Sequence, residues 1–220
     1  MSLKKDLNKV LTTMHSSSGV DKGAPGEYAV LKICEQFYNN YGGILIWSYT
    51  YKVDKDEPGN IKMDRENGDK LYIENLGPIT EIDILYISPY RVFPIEVKAY
   101  SSKKIILRDD RIDGVLVNDK SPIHQNEMHC RHLYSFLYRA RPNGSTDYIV
   151  PIVVFVDKAE IEDMRSDWQK SYILARTLNS IEETIEEYNR PLDYRLDLNL
   201  IDNLLRENIS DAEVYMPVRY

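Results

Sequence analysis

The chain has 220 residues, a formal net charge of −7 and two cysteines, Cys34 and Cys130. That length suits one domain with extensions. The acidic balance argues against a protein that coats nucleic acid, because non-specific affinity comes mostly from cations meeting phosphates, and two distant cysteines make neither a disulfide scaffold nor a metal knuckle.

Ser2 to Met14 places Leu3, Leu7, Val10 and Leu11 at helical spacing before His15-Ser16-Ser17-Ser18-Gly19 breaks the pattern. This charged amphipathic start lacks the apolar core of a signal peptide. No apolar run nears the roughly 20 residues that span a bilayer, so a cytoplasmic protein with no membrane partner is expected. A second helix is predicted from Pro25 to about Asn39, ended by Gly42-Gly43, with Val30, Leu31, Cys34, Phe37, Tyr38 and Tyr41 as its inward stripe. Glu27 shares that stripe; a first-turn glutamate favoured by the helix dipole is its ordinary explanation. Ile44 to Val53 reads as an aromatic-rich strand, Asp54 to Lys70 as a long surface loop or extended hairpin tip, and Leu71 to Leu76 as a further strand.

Thr80 to Tyr100 organises the rest. Two apolar runs, Ile82 to Ile87 and Val92 to Val97, flank Ser88-Pro89-Tyr90-Arg91 and predict a hairpin. With Pro89 and Tyr90 as a two-residue loop, Asp83 falls opposite Glu96 and Glu81 opposite Lys98, which would gather three carboxylates and one ammonium. Proline at the first turn position favours turns that leave room for a bulge and a one-residue shift. Like charges on a half-buried face need compensation, and a hard divalent cation held by Asp83 and Glu96 supplies it. Lys98 would then point into the same space, where it orients or deprotonates water. A solvated hairpin face with an ordinary Glu-Lys pair accounts for the spacing equally well.

Ile105 to Leu107 and Ile112 to Val117 suggest another hairpin over the site. Lys98, Lys103, Lys104, Arg108 and Arg111, then Arg131, Arg139 and Arg141, allow a basic track for nucleic acid on an acidic body, although Asp109, Asp110 and Asp113 dilute it. Pro122 to Arg139 is a helix with Gln125, His129, His132 and Phe136 along one face. Gln125 is a candidate to hold water or a phosphate oxygen through its amide. His129 is a candidate phosphate contact or a packed core histidine. His124 and Cys130 point elsewhere on the helix, which disfavours a zinc site with His129 and His132. Tyr148 to Val156 is predicted as a buried strand, Ser171 to Leu174 as a short final one, Ile173 to Tyr188 as a long amphipathic helix and Leu196 to Leu205 as one more.

Asp83, twelve residues, then Glu96-Val97-Lys98 in an apolar strand resembles the PD-(D/E)xK nuclease signature, with Ile82 where many members carry proline. Lys22-Gly23-Ala24-Pro25-Gly26-Glu27 resembles the Lys-Gly-x-x-Gly-Glu opening of the NERD (nuclease-related) domain. Ser121-Pro122-Ile123-His124-Gln125-Asn126, with His129 and Leu133, resembles that family's later Asn-Pro-x-x-Gln-Asn segment. Ala99-Tyr100-Ser101-Ser102 departs from the asparagine and glycine that often follow the motif lysine.

The resemblance implies an α/β fold with a restriction-endonuclease-like core, a mixed central β-sheet flanked by helices. The expected layout is a helical extension over 1–21, the nuclease domain over 22–190, and a helical extension and tail over 191–220. It also implies metal-dependent phosphodiester hydrolysis, with DNA as the expected partner, RNA or branched DNA as alternatives, and a homodimer as an allowed assembly. Asp83, Glu96 and the Val97 carbonyl would hold Mg2+ or Mn2+, Lys98 would act on the attacking water, Glu27 would steady the metal directly or through water, and Gln125 would position water or phosphate. Lys103, Lys104, Arg108 and His129 are the nucleic-acid-binding candidates. A non-catalytic nucleic-acid or protein-binding module on the same fold is the alternative from another class.

Overall fold

The structure, a computed structural model, describes residues 23–52, 61–63, 70–72, 79–100, 102–109, 111–114, 121–140, 148–156 and 160–209. The helix expected over 2–14, Arg141, most of the polar stretch 54–70 and the tail beyond 209 lie outside the described residues.

Helix α1 (Gly23–Tyr41) turns Ala29, Val30, Ile33, Cys34 and Phe37 inward, while Tyr41, expected on the inward stripe, stays exposed at its last turn. Gly42 and Gly43 stop it with φ of +74° and +119°, conformations that L side chains rarely adopt. Gly43 is also a point of close approach, since a Cβ there would collide with the Ile87 carbonyl oxygen.

The chain then enters strand β1 (Ile44–Lys52). Short strands β2 (Ile61–Met63) and β3 (Lys70–Tyr72) pair antiparallel with each other, which fits an extended hairpin tip in the polar stretch. Strands β4 (Ile79–Ile87) and β5 (Val92–Lys98) follow, then β6 (Lys104–Leu107), β7 (Ile112–Asp113), helix α2 (Pro122–Leu137) and β8 (Ile152–Phe155). Strand β9 (Glu160–Asp163), helix α3 (Asp167–Tyr172), strand β10 (Leu174–Thr177) and helices α4 (Ile181–Tyr188) and α5 (Leu198–Asn208) complete the described fold.

The central sheet runs β1-β4-β5-β8-β10. The first two junctions are antiparallel and the last two parallel, so the expected mixed α/β sheet is observed. The hairpin register is the one read from the sequence. Ile84 pairs with Ile95 and Ile87 with Val92, and the Ser88 N–H donates to the Arg91 carbonyl at 2.8 Å across Pro89-Tyr90. No bulge intervenes, because the buried Ser88 hydroxyl oxygen accepts the Tyr90 and Arg91 amides at 3.1 and 3.0 Å and closes the loop itself.

Alternating side chains build a core on each face. Ile84, Tyr86, Phe93 and Ile95 pack under α1 and α4, while Leu85, Ile87 and Val92 pack under α2 and α5. A third cluster joins Val153 and Phe155 to Ile105 and Leu107 of the small sheet β7-β6-β9. The hairpin expected from 105–107 and 112–117 is present as β6 and β7 as far as Asp113, with β9 added alongside in parallel, while 115–117 lie outside the described residues.

Two expectations are corrected. Residues 171–174 end helix α3 and begin β10 instead of forming a strand of their own, and 173–188 is a strand followed by a helix instead of one long helix. Leu174, Leu178, Ile181 and Ile185 do have helical spacing, but Leu174 joins the sheet beside Ile152, and the Ser180 hydroxyl accepts the Thr177 N–H at 3.1 Å in a turn that restarts the chain as α4.

At the C-terminal end, the Asp197 carboxylate caps α5 by accepting the Leu200 N–H at 3.0 Å. Ile201, Leu204 and Leu205 of that helix are buried with Tyr49, Tyr51 and Leu133, so α5 belongs to the core. No helix among the described residues is long and apolar enough to cross a membrane.

Replacing Gly43 by alanine should cost about 2 kcal/mol or more, because it combines a strained φ with a backbone collision. Urea denaturation of the variant and of wild type measures this; equal midpoints would contradict the close approach.

Candidate active site

Regular pleating fails at one level in both β1 and β4. In β1 the α2-side residues are Ile44 and Ile46, then Tyr49 and Tyr51; in β4 they are Ile82, then Leu85 and Ile87. Each strand thus skips three positions instead of two. The skip falls at Ser48, whose φ of +66° is the one positive non-glycine value among the described residues, and at Asp83. Ile84–Ile95 is the last pair of the β4–β5 ladder. Beyond it the Asp83 Oδ2 takes the place of a ladder acceptor and receives the Val97 N–H at 2.7 Å. Backbone strain of this kind gathers where a side chain must be aimed at something other than the core.

The expected acid cluster forms in part. Glu96 has no exposed surface, and its Oε1 lies 2.5 Å from the Lys98 Nζ. Glu81 does not face Lys98. It is exposed and accepts the Ser48 hydroxyl, because the ladder has ended before that level. Burial first, then the neighbouring Glu96 charge, push the Asp83 carboxyl up to about 8; the Val97 amide and Lys98 oppose the shift, and Glu27 adds to it. Burial works against the Lys98 ammonium, but the charges of Glu96 and Asp83 outweigh it, and its pKa lies above the ordinary lysine value. Asp83, Glu96, Lys98 and Glu27 therefore sit within one electrostatic neighbourhood.

Glu27 reaches it from the first turns of α1, where its Oε2 accepts the Trp47 Nε1–H at 3.4 Å. Gln125 opens α2 half-buried, and its side chain makes no hydrogen bond among the described residues. It lies one helical turn before His129 on the same face, so its amide is free for a ligand. Asn126 beside it is fully buried and donates to the Pro94 and Ile152 carbonyls at 3.2 and 2.9 Å, fixing α2 across β5 and β8.

The basic candidates fare differently. Lys103 is exposed, Lys104 pairs with Glu162 at 2.7 Å, and Arg108 pairs with Asp113 at 2.7 Å. His129 has no exposed surface to offer a phosphate; it stands behind Glu96, its Nε2 3.2 Å from Oε2. Among the described residues no group of three His, Cys, Asp or Glu could hold a metal. His124 pairs with Glu127 at 3.4 Å, and Cys34 and Cys130 are buried and free.

Two carboxylates and a backbone carbonyl are oxygen donors, which suit magnesium or manganese and not softer metals, and magnesium commonly needs only one or two protein carboxylates. The residues fit such an ion on one further observation: Glu96 Oε1 is buried, and its one partner among the described residues is the Lys98 ammonium at 2.5 Å, so no neutral donor holds that oxygen.

Sequence reasoning passed over Tyr51 and Trp47. Tyr51 is a buried β1 residue whose hydroxyl meets His129 Nδ1 at 2.9 Å, and Trp47 is 45% exposed beside Glu27. Both sat in an aromatic-rich strand where each aromatic reads as core, and only the pleat slip at Ser48 separates their surroundings.

Fold and site together define an α/β protein with a carboxylate–lysine centre at the open end of a hairpin. The chain belongs to the NERD, or nuclease-related domain, family, whose model matches residues 22–156. No curated protein shows significant similarity to the sequence. Among solved structures, the small subunit (R.BspD6I2) of the heterodimeric restriction endonuclease R.BspD6I is similar at a TM-score of 0.40 and 10% identity, covering 92% of this chain and 87% of that one. Family membership supports a nuclease function and hence a nucleic acid as substrate.

Asp83 also sets a pH dependence. The unfolded chain releases this proton near pH 4, whereas the folded protein holds it up to about 8. The contribution is therefore most favourable below about pH 4 and is lost as pH rises to about 8. In chelator-treated protein Asp83→Asn should melt close to wild type near about pH 4 and above it near about pH 8; a melting difference that does not change with pH would contradict the shift.

Proposed function

We propose that this protein is a divalent-metal-dependent nuclease that hydrolyses phosphodiester bonds, with DNA as its substrate. The observation that carries the reading is the meeting of Asp83, Glu96 and Lys98 where the β4–β5 ladder opens, on faces that packing alone would fill with apolar side chains.

Asp83, Glu96 and the Val97 carbonyl would hold Mg2+ or Mn2+, with Glu27 steadying the ion directly or through water. A bound ion of this type supplies a polarised phosphoryl oxygen and an activated water. Lys98 remains an ammonium while Glu96 is its partner. Lys98, beside Glu96, would orient the attacking water or take its proton and then, as an ammonium, balance charge on the phosphorus centre. Gln125, with an unengaged amide, would position that water or a phosphate oxygen. Lys103 is the exposed cation best suited to the backbone of the substrate. The setting this reading expects is a cytoplasmic enzyme.

A non-catalytic binding module is the second reading, favoured by the local pairing of Lys104 and Arg108 with acids, which leaves less free positive charge for substrate. RNA and branched DNA are the alternative substrates. Incubation with linear, circular, single-stranded and branched DNA and with RNA, with and without magnesium or manganese, separates these cases. Lys98→Ala should lower cleavage by at least about a hundredfold, the usual scale of a positioned acid–base group, with the fold retained by circular dichroism at a lowered melting temperature, because Glu96 loses a charge partner. A folded Lys98→Ala protein with full metal-dependent cleavage would refute the assignment.

A further inference from the structure

The α2-side core carries a polar seam between its two apolar clusters. Glu96, Asn126 and His129 lie there with no exposed surface, flanked by Cys130 and Leu133 on one side and Ile123 and Val153 on the other. A buried carboxylate is costly unless hydrogen-bonded, and replacement by apolar side chains is often neutral or stabilising. The seam therefore needs a reason beyond stability.

Its geometry is that of a relay. Glu96 Oε2 meets His129 Nε2 at 3.2 Å, and His129 Nδ1 meets the Tyr51 hydroxyl at 2.9 Å. One tautomer satisfies both contacts: with the hydrogen on Nε2 the ring donates to Glu96, and its bare Nδ1 accepts the Tyr51 O–H. Tyr51 is fixed in turn. Its ring stacks on His132 at 3.6 Å with planes 6° apart, and its backbone bridges Ile209 just after α5. Burial holds the His132 imidazole down at about 3, so a neutral ring makes the stack.

We propose that His129 and Tyr51 are positioning residues that lock the Glu96 carboxylate by its Oε2, leaving Oε1, which faces Lys98 here, available to a cation. The inference rests on the metal-dependent reading of the site. It gives α5 and Ile209, which lie beyond the family-matched segment, a part in holding the centre. Outer partners of metal ligands typically govern affinity by about 10–100-fold.

Tyr51→Phe keeps the ring and its stack while deleting the hydroxyl. His129→Leu removes both relay bonds, and His129→Gln can restore them, since an amide N–H can face Glu96 while its carbonyl faces Tyr51. Manganese affinity, read from the spectroscopic signal of free Mn2+, should weaken about tenfold or more in His129→Leu and measurably in Tyr51→Phe, and return to within about threefold in His129→Gln. The manganese concentration for half-maximal cleavage should rise in the same order.

Folding is followed by circular dichroism and melting, and Tyr51→Phe serves where His129→Leu is unfolded. Wild type that binds manganese together with folded variants that bind it equally overturns the relay and leaves the nuclease reading standing. His129→Gln as weak as a folded His129→Leu also overturns it. Wild type that binds no manganese overturns both.

Discussion

Two carboxylates that would repel each other inside a sheet are the constraint on which this structure turns. Asp83 and Glu96 belong to neighbouring strands of one hairpin, and Glu96 has no exposed surface. Compensation comes from three directions at once: the Val97 amide on Asp83, the Lys98 ammonium on one Glu96 oxygen and His129 on the other. These partners leave Asp83 holding its proton up to about 8. The site is thus short of positive charge, which is the condition under which a hard cation binds with the release of a proton.

Much of the scaffold exists to bring these groups to one level. The glycine pair after α1 lets β1 lie against β4, and the Ser88 loop sets the register that puts Asp83 level with Glu96. The positive φ at Ser48 throws both strands out of phase there, freeing Asp83 from the ladder and leaving Trp47 half-exposed next to Glu27. Asn126 anchors α2 so that His129 stands behind Glu96 and Gln125 lies a turn nearer its N-terminus.

The sequence was most informative where spacing and chemistry coincide. The hairpin register followed from a two-residue loop and alternating apolar residues, and Asp83, Glu96 and Lys98 followed from polar residues set into that alternation. Glu81 did not join them because its fate depends on the left-handed backbone at Ser48, a residue type that gives no such warning. Tyr51 was illegible for a related reason: a tyrosine in an aromatic strand looks like core until a partner for its hydroxyl is known. The strand at Leu174–Thr177 was hidden by leucines and isoleucines whose helical spacing spans two elements. Lys104 looked like a substrate contact because Glu162, far along the chain, could not be foreseen beside β6, whereas Arg108 pairs with Asp113, one of the nearby acids that the sequence already showed diluting the basic track.

Where a cation sits decides whether Asp83 and Glu96 form a metal centre. Anomalous diffraction from manganese-loaded crystals locates it directly. The predicted result is a peak within coordination distance of an Asp83 oxygen and Glu96 Oε1, with the Lys98 ammonium moved off that oxygen. Diffraction showing no peak between the two carboxylates, with Lys98 still paired to Glu96, would contradict it.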